Sequence, residues 1–185
     1  DINFSEPMGG AGVTTAANYT VSGTGKGTFA NNPDSVALVS GNKYRLTWSS
    51  GEMFTGGTIT ITVTPSTVTD VAGNFVTASN TGTHNGGAVG VPPDVTNVNV
   101  VSGLVVDVSF SEALLETGTP NALTPSCYTI SGSGAGSLLA SNPTSVANQG
   151  VGIYRLTWAT GEMVQGGDVI ITVTNVKDAS GNPIL

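Results

Sequence analysis

Two stretches of the chain, Tyr44 to Trp48 and Tyr154 to Trp158, carry the same pentapeptide YRLTW, with apolar and polar residues in strict alternation. A period of two puts Tyr44, Leu46 and Trp48 on one face of a β-strand and Arg45 and Thr47 on the other, and the same face recurs as Tyr154, Leu156 and Trp158. The run TITITVT places Ile59, Ile61 and Val63 opposite Thr58, Thr60, Thr62 and Thr64, and Val169, Ile171 and Val173 repeat the apolar half. Ile2 with Phe4, and Val108 with Phe110, supply a further inward edge. Many Thr and Val residues, with no apolar run at helical spacing, predict short antiparallel strands closed by Gly- and Asn-rich turns, and almost no helix.

The pattern occurs twice in the same order. Phe4-Ser5-Glu6 matches Phe110-Ser111-Glu112, Tyr19-Thr20 matches Tyr128-Thr129, Asn32-Pro33 matches Asn142-Pro143, and Asp70, Gly73 and Asn74 match Asp178, Gly181 and Asn182. Such ordered matches predict a tandem duplication. Several short strands with frequent turn signals in each copy predict an all-β chain of two antiparallel β-sandwich domains. The expected boundaries are residues 1–85 and 94–185, joined by a short Gly/Pro linker at 86–93 in which Pro92-Pro93 stiffens the backbone. One large aromatic per copy, Trp48 and Trp158, is expected to anchor each core; an exposed aromatic platform for sugars is the competing reading.

The ends of the copies differ. Val95 to Val101 reads as a first strand of the second copy, leading through Gly103 into Leu104 to Phe110, and Asp1 aligns only with Asp107. Phe75 to Thr83 reads as a last strand of the first copy, and the second stops soon after Asn182. The expectation is that the chain is an excerpt from a longer array whose neighbours supply those strands. Strand donation from another chain is the alternative.

Charge narrows the partners. Only 9% of the 185 residues are charged, and 12 acidic against 5 basic residues leave a net charge of −7. That balance opposes phosphate backbones and anionic membrane surfaces, so no nucleic-acid partner and no membrane insertion are expected. The single cysteine, Cys127, has no partner for an internal disulfide and reads as a small, partly buried residue.

Candidate chemistry is sparse. The only histidine, His84, falls at the start of the glycine-rich linker, which argues against Ser-His-Asp or Cys-His nucleophiles, and one His with one Cys is too few for catalytic zinc. Gly23-Thr24-Gly25-Lys26-Gly27 resembles a phosphate loop only superficially and reads as a hairpin turn. Glu6 with Glu52, and Glu112 with Glu162, are the carboxylate pairs that a glycosidase would need, although ordinary turn residues are the simpler reading. Asp70 with Asn74, and Asp178 with Asn182, offer oxygen ligands for calcium but too few for its usual six to eight, and Asp followed by Gly is common turn chemistry. No catalytic, cofactor-binding or metal residue is therefore assigned. Asn3-Phe4-Ser5 and Asn18-Tyr19-Thr20 are glycosylation sequons on or beside strands.

The motifs FSEPM and FSEAL after an alternating strand, NYTVSG and CYTISG, and the endings VTDVAGN and VKDASGNPI together resemble the bacterial immunoglobulin-like domains of S-layer and large surface proteins. The resemblance spans nearly the whole chain, twice; Cys127 stands where the first copy has Asn18. It implies tandem Ig-like sandwiches in an extracellular, non-enzymatic spacer or adhesion segment, partnered by copies of itself or by neighbouring Ig-like domains. A carbohydrate-binding accessory module of a secreted enzyme is the alternative expectation.

Overall fold

A computed structural model describes residues 1–78, 80–136 and 140–185. The chain divides into two compact units, Asp1–Val91 and Pro92–Leu185, here called module one and module two. Module one contains β1 (Ile2–Asn3), β2 (Met8–Gly9), β3 (Tyr19–Ser22), β4 (Ser35–Ser40), β5 (Lys43–Thr47), β6 (Ile59–Val63), β7 (Thr69–Asp70) and β8 (Thr81–His84). Module two contains β9 (Val95–Ser102), β10 (Val105–Phe110), β11 (Tyr128–Ser131), β12 (Ser145–Gly150), β13 (Ile153–Thr157) and β14 (Ile170–Val173). The only helical segments among the described residues are three short 3-10 turns, Ala11–Thr14, Ala16–Asn18 and Pro125–Cys127. None is long and apolar enough to cross a membrane.

All strand pairing is antiparallel. In module one the sheets run β1-β5-β4 and β3-β6-β8, with β2 paired to β7; in module two they run β12-β13-β10-β9 and β11-β14. The duplication extends to the hydrogen-bond register. Ser35 faces Thr47 and Val36 faces Leu46, as Ser145 faces Thr157 and Val146 faces Leu156, and both hairpins slip register just before their turn. Tyr19 faces Val63 as Tyr128 faces Val173. A one-residue slip would turn every apolar side chain to the wrong face, so equal registers mean equal cores.

The alternation in the sequence is the reason. On β10, Val106 and Val108 are fully buried and Phe110 nearly so, with the intervening residues more exposed. They pack with Tyr128, Ile130, Tyr154, Leu156 and Trp158. The smaller core of module one gathers Val13, Tyr19, Val36, Tyr44, Val63 and Val68. Phe4 meets Tyr44 edge-on at 5.8 Å, and Phe110 meets Tyr154 in the same way at 5.8 Å.

Three sequence expectations need amendment. The strand expected from Phe75 to Thr83 is split: Phe75 bridges Thr69 and Val76 N–H donates to Val68 O at 2.9 Å, while β8 itself begins at Thr81; residue 79 lies outside the described residues. His84 is the last residue of β8, opposite Ile59, and not part of a linker. Residues 88–91 of the expected linker are tied to module one, because Gly56 N–H donates to Ala88 O at 2.8 Å, Gly90 N–H to Thr55 Oγ1 at 2.9 Å and Val91 N–H to Glu52 Oε2 at 3.2 Å. The buried methyl of Ala88 and the obligatory pairing of backbone groups hold this segment down.

Candidate functional site

The two copies of the same strands are not equally covered. In module two, β10 runs alongside β13 from Val105, opposite Thr157, to Ser109, opposite Ile153, and β9 pairs with the other side of β10. Trp158 N–H donates to Leu104 O at 3.0 Å. Under that cover Leu156 is 0% and Trp158 1% exposed. In module one, β1 reaches β5 only at Ile2, opposite Tyr44, and Asn3, opposite Lys43. Leu46 and Thr47 are paired with Val36 and Ser35 on one side, and nothing among the described residues takes the place of Val105 and Val106 on the other.

A groove of 410 Å³ results, lined by Ile2, Leu46, Trp48, Ile59, Ile61 and His84 among others. A second groove of 360 Å³ continues between β1 and β8. Leu46, Trp48, Ile2 and Ile61 are only half-buried, although Leu156, Trp158, Val108 and Ile171 in the same positions are buried. Trp48 therefore departs from the expectation of two equivalent core anchors. Its indole N–H donates to Ala30 O at 3.0 Å, as that of Trp158 donates to Ala140 O at 2.8 Å, and its ring stacks on Phe29 at 5.0 Å with 9° between the planes.

The Asp-Asn turns are closed by their own hydrogen bonds. Asp70 Oδ1 accepts from Ala72 N–H and Asn74 N–H, both at 2.8 Å, and Oδ2 accepts from Asn74 Nδ2 at 2.8 Å. Asp178 is fully buried and repeats the contacts: Oδ1 accepts from Asn182 N–H at 2.8 Å and Oδ2 from Asn182 Nδ2 at 2.7 Å. These donors, led by the Asn74 side chain, hold the Asp70 carboxyl below its ordinary value. The carboxylates close turns whose glycines, Gly73 and Gly181, sit at φ of 89° and 97°.

The candidate glutamates lie in different surroundings. Glu6 is exposed and borders Asp70 and Asn74, while Glu52 accepts from Val91 N–H. Glu162 is exposed and lies against Gly103. Glu112 is influenced instead by Asp178, which together with partial burial pushes its carboxyl up from the ordinary range; burial is the larger cause. His84 is exposed on β8 and borders both grooves.

The glycine-rich loop also has its donors committed. Gly25 N–H donates to Thr58 O at 2.9 Å and Lys26 N–H to Gly23 O at 3.2 Å, while Lys26 Nζ bonds Asn31 Oδ1 at 2.6 Å. A side chain at Gly57 would meet Gly25 Cα at 2.3 Å, and Gly134 meets Gly167 in the corresponding loop of module two. These glycines allow two backbones to touch, which accounts for their recurrence in both copies. Cys127 is fully buried rather than partly so, and burial pushes its thiol up. Of the sequon asparagines, Asn3 is exposed, whereas the half-buried Asn18 spends its Nδ2 on Gly12 O at 2.8 Å.

One paired feature is not evident from sequence alternation. Tyr19 Oη donates to Val13 O at 2.6 Å, and Tyr128 Oη to Ala122 O at 2.7 Å, each reaching back six residues. Such a tyrosine clamp locks a connection onto the start of a strand in antiparallel sandwiches. The only available signal was the repeated Tyr-Thr at the start of each strand.

Fold and site together describe an all-β, sandwich-like chain with one sequence and one register used twice. No family model, curated protein or solved structure matches it.

Proposed function

We propose that the chain is a non-catalytic structural or adhesive segment of an extracellular bacterial surface protein, built of tandem Ig-like sandwiches that associate through strand edges. The observation that carries this reading is where the charges lie. The strands at the margins of the larger sheets and of the β11-β14 pair read IN, YTVS, SVALVS, TGTH, VTNVNVVS, YTIS, SVANQG and IITV, without one Lys, Arg, Asp, Glu or Pro. Edge strands ordinarily carry such residues to block pairing with other chains. Apart from Asp70 on the short β7, the strand charges sit on central β5, β10 and β13, where Arg155 pairs with Asp107 at 2.8 Å. Leu38 on β4 is 57% exposed and Val100 on β9 46%. Edges of this kind favour strand addition, and a weakly charged surface loses little hydration at a contact.

Sedimentation velocity over a concentration series, with electron microscopy of the same samples, tests the reading. Concentration-dependent association into fibres or sheets is expected, weakened by Leu38→Lys together with Val100→Lys. A chain that stays monomeric and featureless at high concentration would remove the basis for it. The second reading, a carbohydrate-binding accessory module, is favoured by the Phe29–Trp48 stack at the groove of module one, since sugars pack on aromatic faces. Oligosaccharide titration monitored by Trp48 fluorescence checks it.

A further inference from the structure

Asparagine side chains in this chain are mostly put to use. The Nδ2 groups of Asn18, Asn32, Asn80 and Asn142 donate to the carbonyls of Gly12, Tyr19, Val63 and Tyr128, and those of Asn74 and Asn182 donate to Asp70 and Asp178. Asn85 differs from all of these. It is exposed, it is the only asparagine followed by glycine, and no hydrogen bond among the described residues involves its side chain or the Gly86 N–H. The turn that carries it is fixed at both ends and open in the middle. On one side His84 closes β8 opposite Ile59; on the other, Ala88 N–H donates to Gly57 O at 3.2 Å and Ala88 O accepts from Gly56 N–H at 2.8 Å. Between these anchors Gly86 takes a φ of 66°, and a side chain at Gly87 would run into the His84 imidazole. The turn therefore demands both glycines, and Gly86 presents a backbone nitrogen that no β-carbon shields.

We propose that Asn85 is a site of self-catalysed covalent modification, converting to aspartate and isoaspartate in the folded protein. The Gly86 nitrogen attacks Asn85 Cγ. The Cγ–Nδ2 bond breaks, and ammonia leaves with the proton that Gly86 gives up, closing a succinimide ring. Water then adds across either carbonyl–nitrogen bond of the ring, giving aspartate or, with the backbone rerouted through the side chain, isoaspartate. Water is the only co-reactant. Nucleophile and electrophile sit on adjacent residues, so they meet without a bimolecular encounter. A fold suppresses this reaction by pinning the side-chain amide or by committing the next N–H to a ladder, and this turn does neither. The product places a carboxylate directly after β8, whose sequence TGTH carries no Asp or Glu. Charges of this kind close edge strands to other chains. That consequence rests on the edge-pairing reading above, whereas the modification does not.

The test is peptide mapping of the full chain after incubation at physiological pH and temperature, with electron-transfer fragmentation to separate isoaspartate from aspartate. The fragment holding residue 85 is expected to lose its amide ahead of every other asparagine, with isoaspartate in excess, and at a rate comparable to that of the chain in urea. Asn85→Gln, whose longer side chain would have to close a larger ring, is expected to abolish the change. An intact Asn85 when other asparagines have converted, or conversion that occurs only in urea, would overturn the proposal. Sedimentation of Asn85→Asp beside Asn85→Ser reads the consequence: weaker association of the aspartate variant supports it, and equal association overturns it. If neither variant associates, the edge-pairing reading falls and this consequence with it, while the mapping decides the modification by itself.

Discussion

Two tryptophans in identical pentapeptides do unequal work. Trp158 is enclosed by Leu104 and its neighbours, whereas Trp48 keeps one side open and leans on Phe29. Trp158→Ala is therefore expected to cost about 3–5 kcal/mol, the range for emptying a full aromatic site. Trp48→Ala should cost about 1–2 kcal/mol, in proportion to its smaller burial. Urea denaturation of both variants checks the difference, and equal costs would contradict the unequal cover. The tyrosine clamps make a second residue-scale prediction. Burial pushes the Tyr19 and Tyr154 hydroxyls up to about 12, and Tyr128 higher still. A neutral phenol favoured in the folded state stabilises fully below the unfolded value near 10 and loses that contribution as pH rises from there toward 12. Absorbance titration of tyrosinate should show these groups ionising only with alkaline unfolding.

At the scale of elements, what the turns and hairpins do depends on backbone pairing more than on side-chain chemistry. Both oxygens of Asp70 and of Asp178 already accept from N–H groups of their own turns. Calcium addition or chelation is accordingly expected to leave the unfolding midpoint unmoved, measured by calorimetry; a rise with calcium would show ligation at Asp70, Asn74, Asp178 or Asn182. The inward faces of β5 and β13 were legible in sequence from their alternation, whereas the pairing of β4 and β12 against them in one shared register was decided by the fold. The last strand of module one was less legible. Phe75 to Thr83 carries strand-forming residues, but Phe75 is 53% exposed and pairs with Thr69, whereas Asn80 and Thr81–His84 bond to β6. Propensity did not decide there; an available neighbour did.

For the whole molecule, acid should be the destabilising direction. Asp34, Asp70 and Asp107 are held below the ordinary 3.8 by Ser49, by Asn74 and by Arg155 respectively. Groups with depressed values in the folded state stabilise it above the unfolded value and withdraw that support as pH falls through it. Thermal midpoints should hold steady near neutrality and fall below about pH 4. Asp107→Asn should shrink that fall, and an acid-independent midpoint would contradict the assignment.

By itself the sequence determined the all-strand class, the duplication and the inward faces of β1, β5, β6, β10, β13 and β14, because periodicity and composition are local properties that folding only realises. Tertiary structure decided which segments come to lie alongside one another. Leu46 and Leu156 have the same neighbours along the chain, yet one borders a groove and the other is sealed, because burial is set by the strand that comes to lie alongside. The same holds for Glu112, which sits beside Asp178 rather than Glu162, and for residues 88–91, which read as a free linker and are pinned by Gly56, Thr55 and Glu52. Contacts between segments far apart in sequence leave no periodic trace, and only the folded chain brings them together.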